Sequence, residues 1–309
     1  MDQDVAIISV PMLDGRVRAS LEKLGLRVAR LWELSDADRR QAQIIIHVGE
    51  MVLGPELLET MPCLRLIAHL SVGYDGVDVP WCRAHGIEVT HSKSLNAEDV
   101  ADHAIGLLIG AWRNIVLGDR VFREGGWRDD RRLIAPRALR GRKVGIVGLG
   151  AIGTAVARRV EAFGMTVAWW GPHAREAPWP MAPSVLALAT DSDILVVAAR
   201  SDASNRGLIS REVIEAVGPQ GLIVNVARGA LIDEDALIEA VRDGRLGRIA
   251  LDVYAQEPTP IERWLGLPNT VLTPHNGGAS LDAGPLMAAQ VIENVRRFLA
   301  DEPLLSPAP

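Results

Sequence analysis

The stretch that most limits what this chain can become is residues 143–163, KVGIVGLGAIGTAVARRVEAF. An apolar run at 144–147 meets Gly148, Gly150 and Gly153 at G-x-G-x-x-G spacing, and an amphipathic helical pattern follows. Each glycine has its own task in such a unit. Gly148 permits a tight strand-to-helix turn, Gly150 brings the main chain close to a pyrophosphate, and Gly153 lets helix and strand pack closely. A helix opening at Ala151 and Ile152 turns unpaired N–H groups and a positive dipole end toward the phosphates. The spacing predicts Ile152, Val156, Val160 and Phe163 on one buried face, with Gly164 as the stop.

The rest of the chain repeats the strand–helix alternation. Before the motif, strands are predicted at 5–10, 27–31, 44–48, 64–68 and 87–90, with helices at 13–24 and 79–85 among them. After it, strands are predicted at 167–170, 194–198, 222–226, 248–253 and 270–273. A chain of 309 residues has room for two ordinary domains. The expected fold is α/β, with two doubly wound, parallel-sheet, Rossmann-like domains and a cleft between them. Residues 1–97 form a flavodoxin-like substrate-binding domain and 98–284 the dinucleotide-binding domain. Residues 285–309 form a helix that returns to the first domain, with Met287, Val291, Val295 and Phe298 on one face. Gly106 and Gly110, on a helix opening at Ala97, offer a small-x-x-x-small face for a neighbouring helix or subunit. The arginine-rich segment 120–142 reads as an exposed excursion.

Several classes fall away. A net charge of −6 argues against nucleic acid as a partner. Cys63 and Cys82 are the only cysteines and form no C-x-x-C, so neither a disulfide framework nor a thiolate metal site is expected. The N-terminus has no signal-peptide pattern, and the apolar stretch 104–112 falls far short of the ~20 residues a membrane span needs. The expectation is a cytoplasmic protein with no metal and no membrane contact.

The chemistry-bearing residues gather at predicted strand ends, where a doubly wound sheet delivers its ligand loops. The loop 69–78 follows an apolar strand, and Gly73 and Gly76 suit a main-chain nest for a small anion, or an ordinary turn before a helix. In the second half, Asn225-Val-Ala-Arg228-Gly, Asp252-Val-Tyr-Ala-Gln-Glu257-Pro and Thr273-Pro-His275-Asn-Gly-Gly supply a cation, a carboxylate and an imidazole. His275 titrates in the range useful for a carbonyl/alcohol pair. Glu257 close by would stabilise its imidazolium, and Arg228 presents a fork that suits a carboxylate.

With these residues in view, the chain resembles the D-isomer-specific 2-hydroxyacid dehydrogenases over almost its whole length. The resemblance rests on Ser71-Val-Gly-Tyr-Asp-Gly-Val-Asp, Asn96 with Val100-Ala-Asp-His, Val147-Gly-Leu-Gly-Ala-Ile-Gly, Val226-Ala-Arg-Gly-Ala-Leu-Ile-Asp, Leu251-Asp-Val-Tyr with Glu257-Pro, and Thr273-Pro-His. It implies that Arg228, Glu257 and His275 are the catalytic set. It further implies that Ser71, Val72 and Gly73 bind substrate through main-chain N–H groups, that Asp252 contacts the nicotinamide carboxamide, and that the protein is a homodimer. Two positions depart from the pattern: Asp102, where glutamate is frequent, and Asn276, where an aliphatic residue is common.

Cofactor choice turns on the end of the second strand of the dinucleotide domain. An NAD site wants an acidic residue there for the ribose 2′-OH. This chain reads Trp170-Gly171-Pro-His173-Ala-Arg175, with Gly171 at that position. His173, Arg175 and Arg200 instead suit a 2′-phosphate. The cofactor candidates are therefore Gly148, Gly150, Ala151, Ile152, Gly153, Trp170, Gly171, His173, Arg175, Arg200, Ala227 and Asp252. NADP(H) is favoured, NAD(H) stands second, and the resemblance points to the glyoxylate/hydroxypyruvate reductase branch, with a small 2-oxo acid as substrate. The alternatives are an NAD-linked relative acting on another small anion or a bulkier 2-oxo acid, and a dinucleotide-sensing binding protein.

Overall fold

The computed structural model describes residues 4–49, 51–130, 132 and 135–309. The first three residues of the N-terminus, and positions 131, 133 and 134 of the arginine-rich segment, lie outside them. The chain divides into two compact units, one of Met1–Asn96 with Leu281–Pro309 and one of Ala97–Ser280. The breaks fall at 96/97 and 280/281, against the 97/98 and 284/285 expected.

The first unit runs β1 (Val5–Ile8), α1 (Pro11–Lys23), β2 (Arg27–Arg30), α2 (Asp36–Gln41), β3 (Ala42–His47), α3 (Pro55–Leu58), β4 (Leu66–His69), α4 (Val79–Ala84) and β5 (Glu88–Thr90). Its sheet is parallel, in the order β2-β1-β3-β4-β5. Strand side chains alternate between faces, so Ala6 and Ile8 pack to one side while Val5 and Ile7 pack to the other. Leu13, Val17 and Leu21 of α1 cover the first side together with Met287, Val291 and Val295 from the C-terminal segment. The fourth expected contact, Phe298, is only half-buried there.

The carboxyl ends of these strands hold an unusual polar core. His47 ends β3 and His69 ends β4, both fully buried, their rings edge-to-face at 4.8 Å. His47 Nδ1 lies 2.8 Å from Ser9 Oγ, and its Nε2 lies 2.9 Å from the Met51 carbonyl. Neither ring nitrogen of His69 has a hydrogen-bond partner among the described residues. Burial drives both rings toward the neutral form, His47 to about 4 and His69 to about 3.

The second unit runs α5 (Ala97–Trp112), α6 (Ile115–Arg123), β6 (Lys143–Val147), α7 (Ala151–Ala162), β7 (Thr166–Trp170), α8 (Val185–Thr190), β8 (Ile194–Val197), α9 (Arg211–Val217), β9 (Leu222–Asn225), α10 (Glu234–Arg242), β10 (Arg248–Leu251) and β11 (Thr270–Leu272). The remaining helix, α11 (Ala283–Leu299), belongs to the first unit and supplies the three residues named above. The six strands of the second unit are parallel, in the order β11-β10-β9-β8-β6-β7. Successive strands leave β6 in opposite directions, which makes the β6/β8 boundary the switch point where such sheets accept ligands.

One expectation changes on the structure and two gain detail. Phe163 is 42% exposed, because α7 ends at Ala162 and the chain turns away through Gly164 at φ 71. Gly106 and Gly110 stand one turn apart on α5. Gly106 is exposed with open space where a Cβ would stand, whereas a Cβ on Gly110 would meet Val116 of α6 at 3.5 Å. The arginine-rich excursion also begins as helix, since α6 covers its first turn with Val121 buried. No single helix among the described residues is long and apolar enough to cross a membrane.

Candidate active site

The glycine-rich turn is built as its spacing requires. Gly148 adopts φ 94, and a Cβ there would stand 2.4 Å from Ala199 Cα across the switch point. A Cβ on Gly153 would stand 2.0 Å from the Gly148 carbonyl oxygen, so helix and strand touch through bare main chain. Gly150 has nothing within 4 Å of its Cβ position, leaving open approach to the start of α7, where Ala151 and Ile152 present the first amides. That open cradle fits a pyrophosphate.

At the end of β7, Trp170 leads into buried Gly171. A Cβ on Gly171 would stand 3.2 Å from the Trp169 ring, a tight contact that the ring would have to ease by a few tenths of an ångström. His173 and Arg175 follow, both exposed. Arg175 is tied back to the glycine turn, donating to the Leu149 carbonyl. Beside it lies a cavity of about 320 Å³ whose walls include Leu149, Arg158, Glu161 and Arg175. Arg200, also exposed, lies three residues beyond the end of β8.

Arg228, Glu257 and His275 all follow strand ends in this same unit. Asn225 shapes the first loop, donating from Nδ2 to the Arg228 carbonyl at 3.0 Å and accepting the Ala227 amide at 3.0 Å. Gly229 then lies flush on the next loop: a Cβ would stand 1.9 Å from the carbonyl carbon of Tyr254. Glu257 accepts the Tyr254 amide on Oε1 at 2.9 Å and meets His275 Nδ1 on Oε2 at 2.5 Å. Burial pushes the Glu257 carboxyl up, but the His275 bond, the Tyr254 amide and the charges of His275 and Arg228 outweigh it and hold it below the usual range. A carboxylate only accepts, so His275 Nδ1 carries a hydrogen.

His275 itself sits at φ 50, a left-handed conformation that costs a β-carbon residue of order 1 kcal/mol. The surroundings enforce it. Its amide donates to the Asp252 carbonyl at 2.8 Å. The next two amides, of Asn276 and Gly277, donate to the Asp252 carboxylate at 3.0 and 2.9 Å. Tyr254 braces the other side, its hydroxyl donating to the Thr273 carbonyl at 2.8 Å, and burial raises that phenol to about 12. Asp252, expected from the resemblance to face the nicotinamide, thus also organises the turn that carries the histidine. Asn276 takes part through its main chain, while its side chain is exposed.

Ser71, Val72 and Gly73 lie in the first unit. The Ser71 hydroxyl is spent on the loop itself, donating to the Gly73 carbonyl at 2.7 Å and accepting the Gly49 amide at 3.2 Å. The Val72 carbonyl is bound by His91 Nδ1 at 3.0 Å.

A family model described as "D-isomer specific 2-hydroxyacid dehydrogenase, NAD binding domain" matches residues 105–277. The chain belongs to the D-isomer-specific 2-hydroxyacid dehydrogenases. It is 33% identical to glyoxylate/hydroxypyruvate reductase A of Arabidopsis thaliana, over 99% of both chains. It is 39% identical to a hydroxyphenylpyruvate reductase of Plectranthus scutellarioides, over 82% of this chain and 80% of the other. Among solved structures, an NADPH-dependent glyoxylate/hydroxypyruvate reductase of Sinorhizobium meliloti, in complex with NADP and malonate, superposes with a TM-score of 0.91 at 34% identity, covering 99% of this chain and 97% of that one. As a member of this dehydrogenase family the protein is an oxidoreductase with a Rossmann-like nucleotide-binding unit.

Sequence reasoning named neither Tyr254 nor Thr273 as a support for His275, nor His103 beside Asp252. Only His103 leaves a signal: a polar residue on the apolar face that Val100, Ala104, Leu107 and Ala111 define at helical spacing.

Proposed function

We propose that this enzyme uses NADPH to reduce a small 2-oxo acid of the glyoxylate/hydroxypyruvate type to the D-2-hydroxy acid. The observation that carries the reading is the 2.5 Å pairing of His275 Nδ1 with Glu257, with Arg228 near enough to lower the same carboxyl. A reduced nicotinamide, when bound, supplies hydride to the keto carbon. His275, kept in the imidazolium form by Glu257, gives its Nε2 proton to the keto oxygen. Arg228 holds the substrate carboxylate and opposes negative charge developing on that oxygen. The amides of Val72 and Gly73 are assigned to the same carboxylate, and Asp252 to the carboxamide.

NADP preference is supported by Gly171, which supplies no acid for the ribose 2′-OH and lies tight against the Trp169 ring, and by the cations His173, Arg175 and Arg200. The test is a nicotinamide absorbance assay with NADPH and NADH against a panel of 2-oxo acids. A charge-assisted contact to the 2′-phosphate is worth about tenfold or more in kcat/KM for NADPH over NADH. Equal rates with both would remove the preference, and no turnover on any acid would favour a dinucleotide-sensing binding protein. A bulkier 2-oxo acid is the second reading, supported by the similarity to the hydroxyphenylpyruvate reductase; aryl members of the panel decide it.

The same reading includes a homodimer. Ile115, Val116 and Phe122 of α6 are exposed, and Phe122 leans on exposed Trp127 at 5.9 Å, an apolar surface of the kind subunits cover. Sedimentation is expected to give a particle of two 33.4 kDa chains. A single-chain mass would remove this part of the reading.

A further inference from the structure

Beyond the amides of Asn276 and Gly277, the Asp252 carboxylate has a neighbour that comes from a distant part of the chain. His103, on α5, places Nε2 2.9 Å from Thr273 Oγ1 and 3.3 Å from Asp252 Oδ1. Thr273 Oγ1 lies 2.6 Å from the same Asp252 Oδ1. Hydrogen counting then fixes the roles. A threonine hydroxyl has one hydrogen, and the carboxylate oxygen, an acceptor only, takes it. Toward His103 the hydroxyl is therefore the acceptor, and His103 Nε2 must carry the hydrogen. That N–H is shared between the threonine oxygen and the carboxylate.

The packing is as tight as the polar contacts. A Cβ on Gly277 would stand 2.9 Å from Asp252 Oδ2 and 3.0 Å from the His103 ring, so the imidazole lies directly on the main chain of the turn. The Asp252 side chain is 4% exposed, which leaves little water to replace a lost donor. All of these groups belong to the second unit.

We propose that His103 is a positioning residue: its Nε2–H, seated on Thr273 and Asp252, locks the carboxylate that holds the amides of Asn276 and Gly277, and through that turn fixes the ring of His275. The proposal rests on the reading of His275 as the proton donor. It makes α5, which carries no residue of the catalytic set, a structural part of the reaction.

Two full-length variants test it, with two readouts. His103→Leu fills the site without a donor, and His103→Gln keeps an N–H of similar reach. Hydrogen exchange of the peptide spanning 273–280 needs no turnover. The Leu variant is expected to exchange the Asn276 and Gly277 amides about tenfold faster while β6 keeps native protection, and the Gln variant to stay within about twofold of the parent. In 2-oxo acid reduction the Leu variant should lose about tenfold in kcat with KM for the acid little changed, and Gln should restore it. Native exchange in the Leu variant, faster exchange throughout the second unit, or a Gln variant as impaired as Leu would each overturn the proposal. If the parent itself turns over no 2-oxo acid, the reading of His275 fails, and the exchange arm still decides whether His103 holds the turn.

Discussion

His275→Ala lowers the rate of 2-oxo acid reduction by about a thousandfold, the mid-range of what one placed acid–base group contributes, while NADPH binding stays within about twofold. The two halves of this expectation come from different parts of the second unit. The imidazole is held by Glu257 at 2.5 Å and by the Asp252-bound turn. The pyrophosphate cradle is built from Gly148, Gly150 and the start of α7, none of which contacts the histidine in the hydrogen bonds described. Stopped-flow reduction read against calorimetric titration of NADPH separates the effects. A companion variant fixes the sign of the pH dependence. Proton donation needs the imidazolium, so reduction is lost as pH rises through the His275 pKa. Glu257→Gln removes the charge that stabilises the cation, lowers that pKa and moves the basic limb of the profile to lower pH. Near-native turnover in His275→Ala would sink the catalytic assignment, and an unmoved limb in Glu257→Gln would sink the role of the pair.

The second large effect is on stability, and it comes from the first unit. His47 and His69 are held near 4 and 3 in the fold, against 6.5 for a solvated histidine. Below pH 6.5 the unfolded chain therefore takes up protons that the folded chain refuses. Stability contributed by the neutral rings is full above pH 6.5 and falls as pH falls toward the folded values. At pH 5 each ring costs about 2 kcal/mol relative to neutral pH, since one pKa unit is worth 1.36 kcal/mol. His69 has the larger shift, and neither of its ring nitrogens has a partner among the described residues. Replacement by leucine, of similar volume, removes both burdens. Urea unfolding of His69→Leu is expected to match or exceed the parent at pH 7.5 and to gain about 2 kcal/mol on it at pH 5. An unchanged gap between the two proteins across that range would show that these rings do not govern the acid limb.

The contrast between His275 and His69 also shows what the sequence makes legible. Arg228, Glu257 and His275 stand out as candidates because each follows an apolar strand and sits in a recognisable polar loop, and strand ends are where this architecture places chemistry. The G-x-G-x-x-G turn was equally plain, because a short-range backbone requirement is written directly in glycine. Convergence over long separations was not legible. Thr273, Asp252 and His103 meet only after β10, β11 and α5 have packed, and their spacing of 170 residues between His103 and Thr273 leaves no local pattern. His47 falls within the predicted strand 44–48 and His69 opens the loop 69–78, and only register in the sheet brings the two rings edge-to-face. The arginine-rich segment is largely exposed as its charges suggest, and only Val121, which anchors α6, left no signal among them.

The contact at Gly229 carries a consequence for engineering. There the loop bearing Arg228 rests on the peptide plane between Tyr254 and Ala255, the loop that leads to Glu257. The separation of the two main-chain stretches that carry Arg228 and lead to Glu257 is thus set by backbone in van der Waals contact. A mutant library aimed at new substrates has no route to retune that spacing by side-chain exchange at 229, since every replacement forces the two loops apart. Productive diversity will be found at positions away from this contact, with the spacing of the two loops inherited from one specificity to the next.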